Sequence, residues 1–218
     1  MYELTNTRIR STTLNVEYAR SGIPVIELSY SDWLKSLQEL DRMKFSSSKD
    51  FMGMYYNNPN ATKLGFPRRF IVINKSMPNY EKLMVFYHEV GHHSCVKCRC
   101  KCAWKGFQHR KTELHAELSC IYIAKSRGYS EMVLELVKET VEALDYHFEY
   151  NFWNASRMLK HPVYLEAVKS VEYDFNLWLK SKSNRRLKRL YDQCMNDSSI
   201  GTCRWKPSNY LVKFASKV

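Results

Sequence analysis

Glycine and proline are scarce in these 218 residues, 7 and 6 respectively, which excludes collagen-like, linker-dominated and extensively disordered chains. No run of about 18 uncharged apolar residues occurs, so no segment reads as a membrane-spanning helix and no membrane partner is expected. The opening stretch, MYELTNTRIR, lacks the apolar core of a secretory signal, and the expected location is the cytoplasm. Cysteine is present, but in an odd number, seven, and four of them crowd into Cys95-x2-Cys98-x-Cys100-x-Cys102. A secreted disulfide framework does not fit that arrangement, and reduced thiols are expected.

What is there in quantity is apolar residues, 44%, and charge, 26%, in a chain long enough for one to two domains with a sizeable core. The charge is unevenly spread. Residues 1–93 carry a net +3, 94–112 carry +6, 113–180 carry −4 and 181–218 carry +7, out of +12 overall. Two short segments, 94–112 and 181–218, therefore hold the excess positive charge, which is the electrostatic footprint of a nucleic-acid or acidic partner, or else a solvated basic surface.

Along the chain, LNVEY and IPVIELSY read as β-like runs separated by Ser21-Gly22. SDWLKSLQELDRMKF then has Trp33, Leu34, Leu37, Leu40 and Phe45 at near-helical spacing, with Ser31 available as N-cap. FMGMYY and RFIVIN flank a turn-rich NNPNATKLGFP and predict paired strands. YEKLMVFYHEVGHH predicts a helix apolar around most of its circumference, hence buried on several sides. The basic, cysteine-rich stretch from Ser94 to Arg110 has no period and reads as a loop. TELHAELSCIYIAKSR is helical again and stops at Gly128, and Ser130 caps a helix running through SEMVLELVKETVEALDYHFEY. VYLEAVKSVEYDFNLWLKS and SNRRLKRLYDQCM follow, and from Asp197 no pattern is assignable. His161 and the aromatic residues of YHFEYNFW read as packing. The expected fold is one α+β domain spanning residues 1–218: a sheet-containing part at 1–77, metal-site helices at 78–127 and a helical C-terminal bundle at 128–218.

The most informative residues are His88-Glu89-Val90-Gly91-His92. Four residues at 100° each leave the two imidazoles about 40° apart on one helical face, where one ion meets both. From the residue frequencies, roughly 0.015 such H-E-x-x-H matches would arise by chance in the chain. Zinc suits two neutral imidazoles and a carboxylate with a fourth position for water, whose pKa falls from 15.7 to roughly 7. Glu89, beside the first ligand, is placed to take the proton as general base. The third ligand is expected from Glu113-Leu114-His115-Ala116-Glu117. Glu113 and Glu117 share a face, while His115 lies about 200° from Glu113 and points away. Glu113 is assigned to zinc and Glu117 to an imidazole N–H of His88 or His92, with an exchange of the two glutamates as the alternative.

HEVGH followed by ELHAE resembles the gluzincin arrangement, in which an H-E-x-x-H helix is completed by a later E-x-x-x-D/E helix. FIVINKSMPNYEKLMVFYHEVGHH resembles ImmA/IrrE-type metallopeptidases, and ELHAELSCIYIA is similar to the corresponding helix of the ArdC-type antirestriction zincin domain. The resemblance covers roughly residues 50–127 and implies a zincin-like fold. It also implies an intracellular zinc peptidase of phage or mobile-element background, whose relatives cut regulatory proteins or counter host defence. The cysteine-rich insertion and the long helical C-terminal half depart from those families.

In the thiol loop, Lys97, Arg99 and Lys101 favour thiolates at Cys95, Cys98, Cys100 and Cys102. A second, structural zinc with His93 or His109 as a further ligand, free or redox-active thiols, and a local disulfide all remain open. A thiol of this loop could also occupy the open position on the first zinc. An oxyanion donor from a later helix would be Tyr146 or His147. Arg185, Arg186, Lys188 and Arg189, with Trp178, Tyr191 and Trp205 nearby, could bind phosphates beside stacking surfaces. The leading expectation is a zinc-dependent endopeptidase acting on a protein or peptide; the alternative is a zinc-containing basic protein that binds nucleic acid or a nucleic-acid enzyme, with little catalysis.

Overall fold

The computed structural model describes residues 9–37, 40, 52–97, 108–145, 149–201 and 203–216. The chain divides into two compact units, Met1–His93 and Ser94–Val218. It is mixed α+β, with a small sheet in the first unit and helices throughout. Among the described residues no helix is long and apolar enough to cross a membrane.

In the first unit three strands, β1 (Val25–Leu28), β2 (Gly53–Asn57) and β3 (Arg69–Asn74), lie in the order β1-β3-β2. β3 is parallel to β1, pairing Ile26 with Val72, and antiparallel to β2, pairing Tyr55 with Ile71. Phe70, Ile71, Val72 and Ile73 are all fully buried, which is why RFIVIN is continuously apolar instead of alternating. The paired strands expected at FMGMYY and RFIVIN are present. The turn-rich stretch between them folds as a 3-10 segment, Pro59–Leu64, capped by the Asn58 side chain and ended by Gly65 at φ 81°.

The first β-like run is corrected: LNVEY belongs to a helix, α1 (Ser11–Ser21). Leu14, Glu17 and Ser21 are its buried positions, a three- and four-residue spacing that outweighs the β-branched residues around them. Helix α2 (Tyr30–Ser36) is capped by Ser29, whose hydroxyl accepts from the Asp32 N–H at 3.1 Å, so the cap is not Ser31. The continuation expected toward Phe45 lies outside the described residues apart from Leu37 and Leu40. Trp33 and Leu37 pack with Tyr56, Phe70 and Val72, and the Trp33 indole donates to the Tyr56 hydroxyl at 2.7 Å.

The motif helix, α3 (Asn79–Lys97), buries Leu83, Phe86, Tyr87 and Val90 completely, one stripe at helical spacing. It presses on β2 so closely that a Cβ at Gly53 would sit 2.4 Å from Val85 Cγ1 and 3.0 Å from the Val72 carbonyl oxygen. Lys82, buried, pairs with Glu27 of β1 at 2.5 Å, and Tyr18 of α1 donates to the same carboxylate. Burial, and then Glu27, push the Tyr18 phenol well above its ordinary range. α3 runs on through Ser94 to Lys97, so the expected loop begins later than Ser94.

In the second unit, α4 (Gln108–Ser126) is the central element. Leu114, Ala116, Leu118, Ile121, Ile123 and Ala124 are buried on several sides of it, and α5 (Ser130–Glu142), α6 (Glu149–Leu159), α7 (Pro162–Ser170) and α10 (Asn209–Ser216) pack around it. Helix α4 already holds His109 and Arg110, which corrects the other end of the expected loop. Gly128 at φ 73° ends α4 as the sequence predicts. Ser130 is the first residue of α5 instead of its cap. The long helix expected through Tyr150 is instead α5, a 3-10 turn at Ala143–Asp145 and α6. His161 caps α7 by accepting from the Val163 N–H, and α8 (Glu172–Lys180) and α9 (Arg185–Asn196) follow. The pattern-poor C-terminal stretch contains α10, whose last carbonyls, of Phe214 and Ala215, each accept from the Arg127 guanidinium at 2.9 Å.

Candidate metal centre

His88 and His92 stand one turn apart on α3, half-buried, with their Nε2 atoms 3.0 Å apart and their rings at 76°. Two nitrogens bound to zinc at about 2.0–2.1 Å with a tetrahedral angle would be about 3.3 Å apart, so the pair is nearly at ligand spacing. Glu113, also half-buried, is in the second turn of α4. His88 and His92 belong to the first unit and Glu113 to the second. Two borderline nitrogen donors and one carboxylate oxygen are the donor chemistry of a zinc site with a position left for water.

Glu89 is buried, at 6% exposure, and its Oε2 accepts a 2.7 Å hydrogen bond from the Tyr55 backbone N–H. Tyr55 lies on β2, an edge strand of the sheet, so that its N–H is available to a side chain. The same residue meets His93, whose Nδ1 lies 3.0 Å from the Tyr55 hydroxyl with the rings edge-on. Burial pushes the Tyr55 phenol upward. Tyr55 is the residue that reading the sequence missed: nothing in FMGMYY marks one of its amides as a partner for a glutamate 34 residues later. His93, offered above as a ligand for the thiol loop, is buried against Tyr55.

Glu117 is half-buried and lines one cavity of about 420 Å³ together with Glu113. His115, expected to face away from the ligand pair, is 2% exposed with its Nε2 3.4 Å from the Cys203 thiol. Cys95 is half-buried in the last turns of α3, whereas Cys98, Cys100 and Cys102 lie outside the described residues. Tyr146 and His147 lie outside them as well. On α9, Arg186 pairs with Asp145 and Lys188 with Asp192, each at 2.6 Å, so two of the four cations proposed to meet phosphates already have acidic partners. His161 is packed as expected: its Nε2 donates to the Trp205 carbonyl at 3.1 Å, while Nδ1 accepts at the α7 cap.

Comparison with protein-family models, with curated proteins and with solved structures finds no match to this chain.

Proposed function

We propose that the protein is a zinc-dependent endopeptidase, with His88, His92 and Glu113 as metal ligands and Glu89 as general base. The observation that carries this reading is the pair of imidazoles on one face of α3, their Nε2 atoms 3.0 Å apart, with the Glu89 carboxylate beside the first of them in sequence and held by the Tyr55 N–H. A zinc ion held there supplies Lewis acidity and brings the pKa of water to near neutrality. The chain's own residues do the rest. Tyr55 fixes Glu89 Oε2 through its N–H, which leaves Oε1 as the atom that takes the proton from water and later returns it to the leaving amine. The low exposure of Glu89 limits competing solvent around that oxygen. Glu117, one turn after Glu113, is assigned the orientation of an imidazole N–H. The gluzincin resemblance of HEVGH and ELHAE agrees with these roles.

The test is Glu89→Gln, which keeps size and removes the base. Zinc content should remain at one per chain, while peptide cleavage falls by about 10²–10⁴-fold. Cleavage persisting at the parent rate would overturn the assignment. Loss of zinc in Glu89→Gln would mean that Glu89 is a ligand and not a base.

A further inference from the structure

Glu113 is not the only carboxylate in its cavity. Glu117, Glu139 and Glu142 line the same space, and among the described residues that line it none is cationic. Glu139 and Glu142 are exposed, Glu113 and Glu117 half-buried, so the acceptors grade inward from solvent. Partial enclosure, and then the carboxylates of Glu117, Glu135 and Glu142, push Glu139 above the ordinary carboxylate range, a repulsion that an incoming cation relieves. A second, independent feature points the same way. Asn154 lines the cavity at only 9% exposure, and its Oδ1 is buried with no hydrogen-bond partner among the described residues. A buried acceptor left without a donor is costly, and a ligand carrying N–H groups would satisfy it.

The shape of the cavity selects among cations. Among the described residues the four carboxylates do not form a group close enough to grip a bare ion. A volume of about 420 Å³ takes a long side chain, and Leu136 and Met158 give an aliphatic stem apolar wall to lie against. Such a ligand has methylenes leading to a head with several donors, which describes lysine and arginine.

We propose that this cavity is the specificity pocket for a lysine or arginine side chain of the peptide substrate, beside the bond that is cut. The proposal rests on the peptidase reading, because Glu113 belongs to both the ligand set and the cavity wall.

The experiment incubates the zinc-loaded chain with a peptide mixture retaining internal lysine and arginine, and reads the cut sites by mass spectrometry. Basic residues next to the cut bond should be enriched about tenfold or more over the mixture. That enrichment should drop severalfold in Asn154→Leu and Glu139→Gln and turn toward acidic residues in Glu139→Lys, with circular dichroism establishing that each variant folds. Should Asn154→Leu fail to fold, Glu142→Gln takes its place. Cut sites with no basic enrichment would overturn the pocket and leave the peptidase reading standing. If the parent chain cuts nothing, the peptidase reading falls. The pocket is then judged by binding of a fluorescein-labelled lysine peptide against its norleucine counterpart. A preference for lysine that disappears in Glu139→Gln supports a cation pocket, and equal binding of the two peptides overturns it.

Discussion

Glu89 sits among groups that leave it little freedom, and Gly53 explains how that is achieved. The absence of a side chain at Gly53 lets α3 approach β2, and this closeness brings the Tyr55 N–H within 2.7 Å of the Glu89 carboxylate. Gly53→Ala places a methyl against Val85 Cγ1 and the Val72 carbonyl. The valine can turn but the backbone cannot, so a loss of about 1–3 kcal/mol is expected in chemical denaturation, with reduced cleavage from a displaced base. An alanine variant of parent stability would show that the strand shifts freely. His161 offers a pH test. Burial, partly offset by the Trp205 carbonyl, holds its pKa below the ordinary 6.5. The folded chain thus binds the proton less tightly than the unfolded one. Its contribution to stability is complete above pH 6.5 and is lost as pH falls below that value toward the lower folded pKa. Between pH 7.5 and 5.5, denaturation midpoints should fall more for the parent chain than for His161→Gln, at pH values flanking the ordinary histidine range of about 6.5. Equal falls would remove His161 as a source of that slope.

At the scale of elements, the helices with a clear apolar stripe or a glycine stop were legible. α3 and the end of α4 at Gly128 follow from spacing and from φ 73° at a residue without a Cβ. The failures have physical causes. The LNVEY part of α1 has the local β-propensity of a strand, and it is the joint inward packing of Leu14, Glu17 and Ser21, a tertiary effect, that favours the helix. The α5–α6 break fell inside a continuous helix-like pattern, where no proline or glycine announces the 3-10 turn at Ala143–Asp145. α10 carries no sequence pattern of its own because part of what ends it comes from elsewhere in the chain: Arg127, 87 and 88 residues earlier, donates to the Phe214 and Ala215 carbonyls. Arg127→Ala should cost about 1–3 kcal/mol locally, seen as faster amide exchange confined to residues 209–216. Unchanged exchange there would assign the end of α10 to its own sequence.

For the whole molecule, the metal and the charge make separate predictions. A metal that binds only the folded chain stabilises it by mass action, so chelation should lower the melting temperature of the parent protein. His88→Ala should abolish most of that difference; a melting temperature indifferent to chelation would count against a resident zinc. The basic tail segment predicts a weaker effect than its net +7 suggests, because Arg186 is paired with Asp145, which lies outside the segment. Mobility-shift titrations should therefore show only weak binding to nucleic acid, vanishing as salt is raised. Tight, salt-resistant binding would favour the basic interaction protein over the peptidase.

The amino-acid order alone determined His88, Glu89 and His92 as a set, since i and i+4 on one helix share a face whatever surrounds them. It also narrowed the third donor to two glutamates of a single later helix. Only the folded chain decided that the Tyr55 amide holds the Glu89 carboxylate and that Asn154 joins four carboxylates in one cavity. Each of those joins residues far apart in sequence, and such proximity is set by packing between elements, on which local periodicity carries no information.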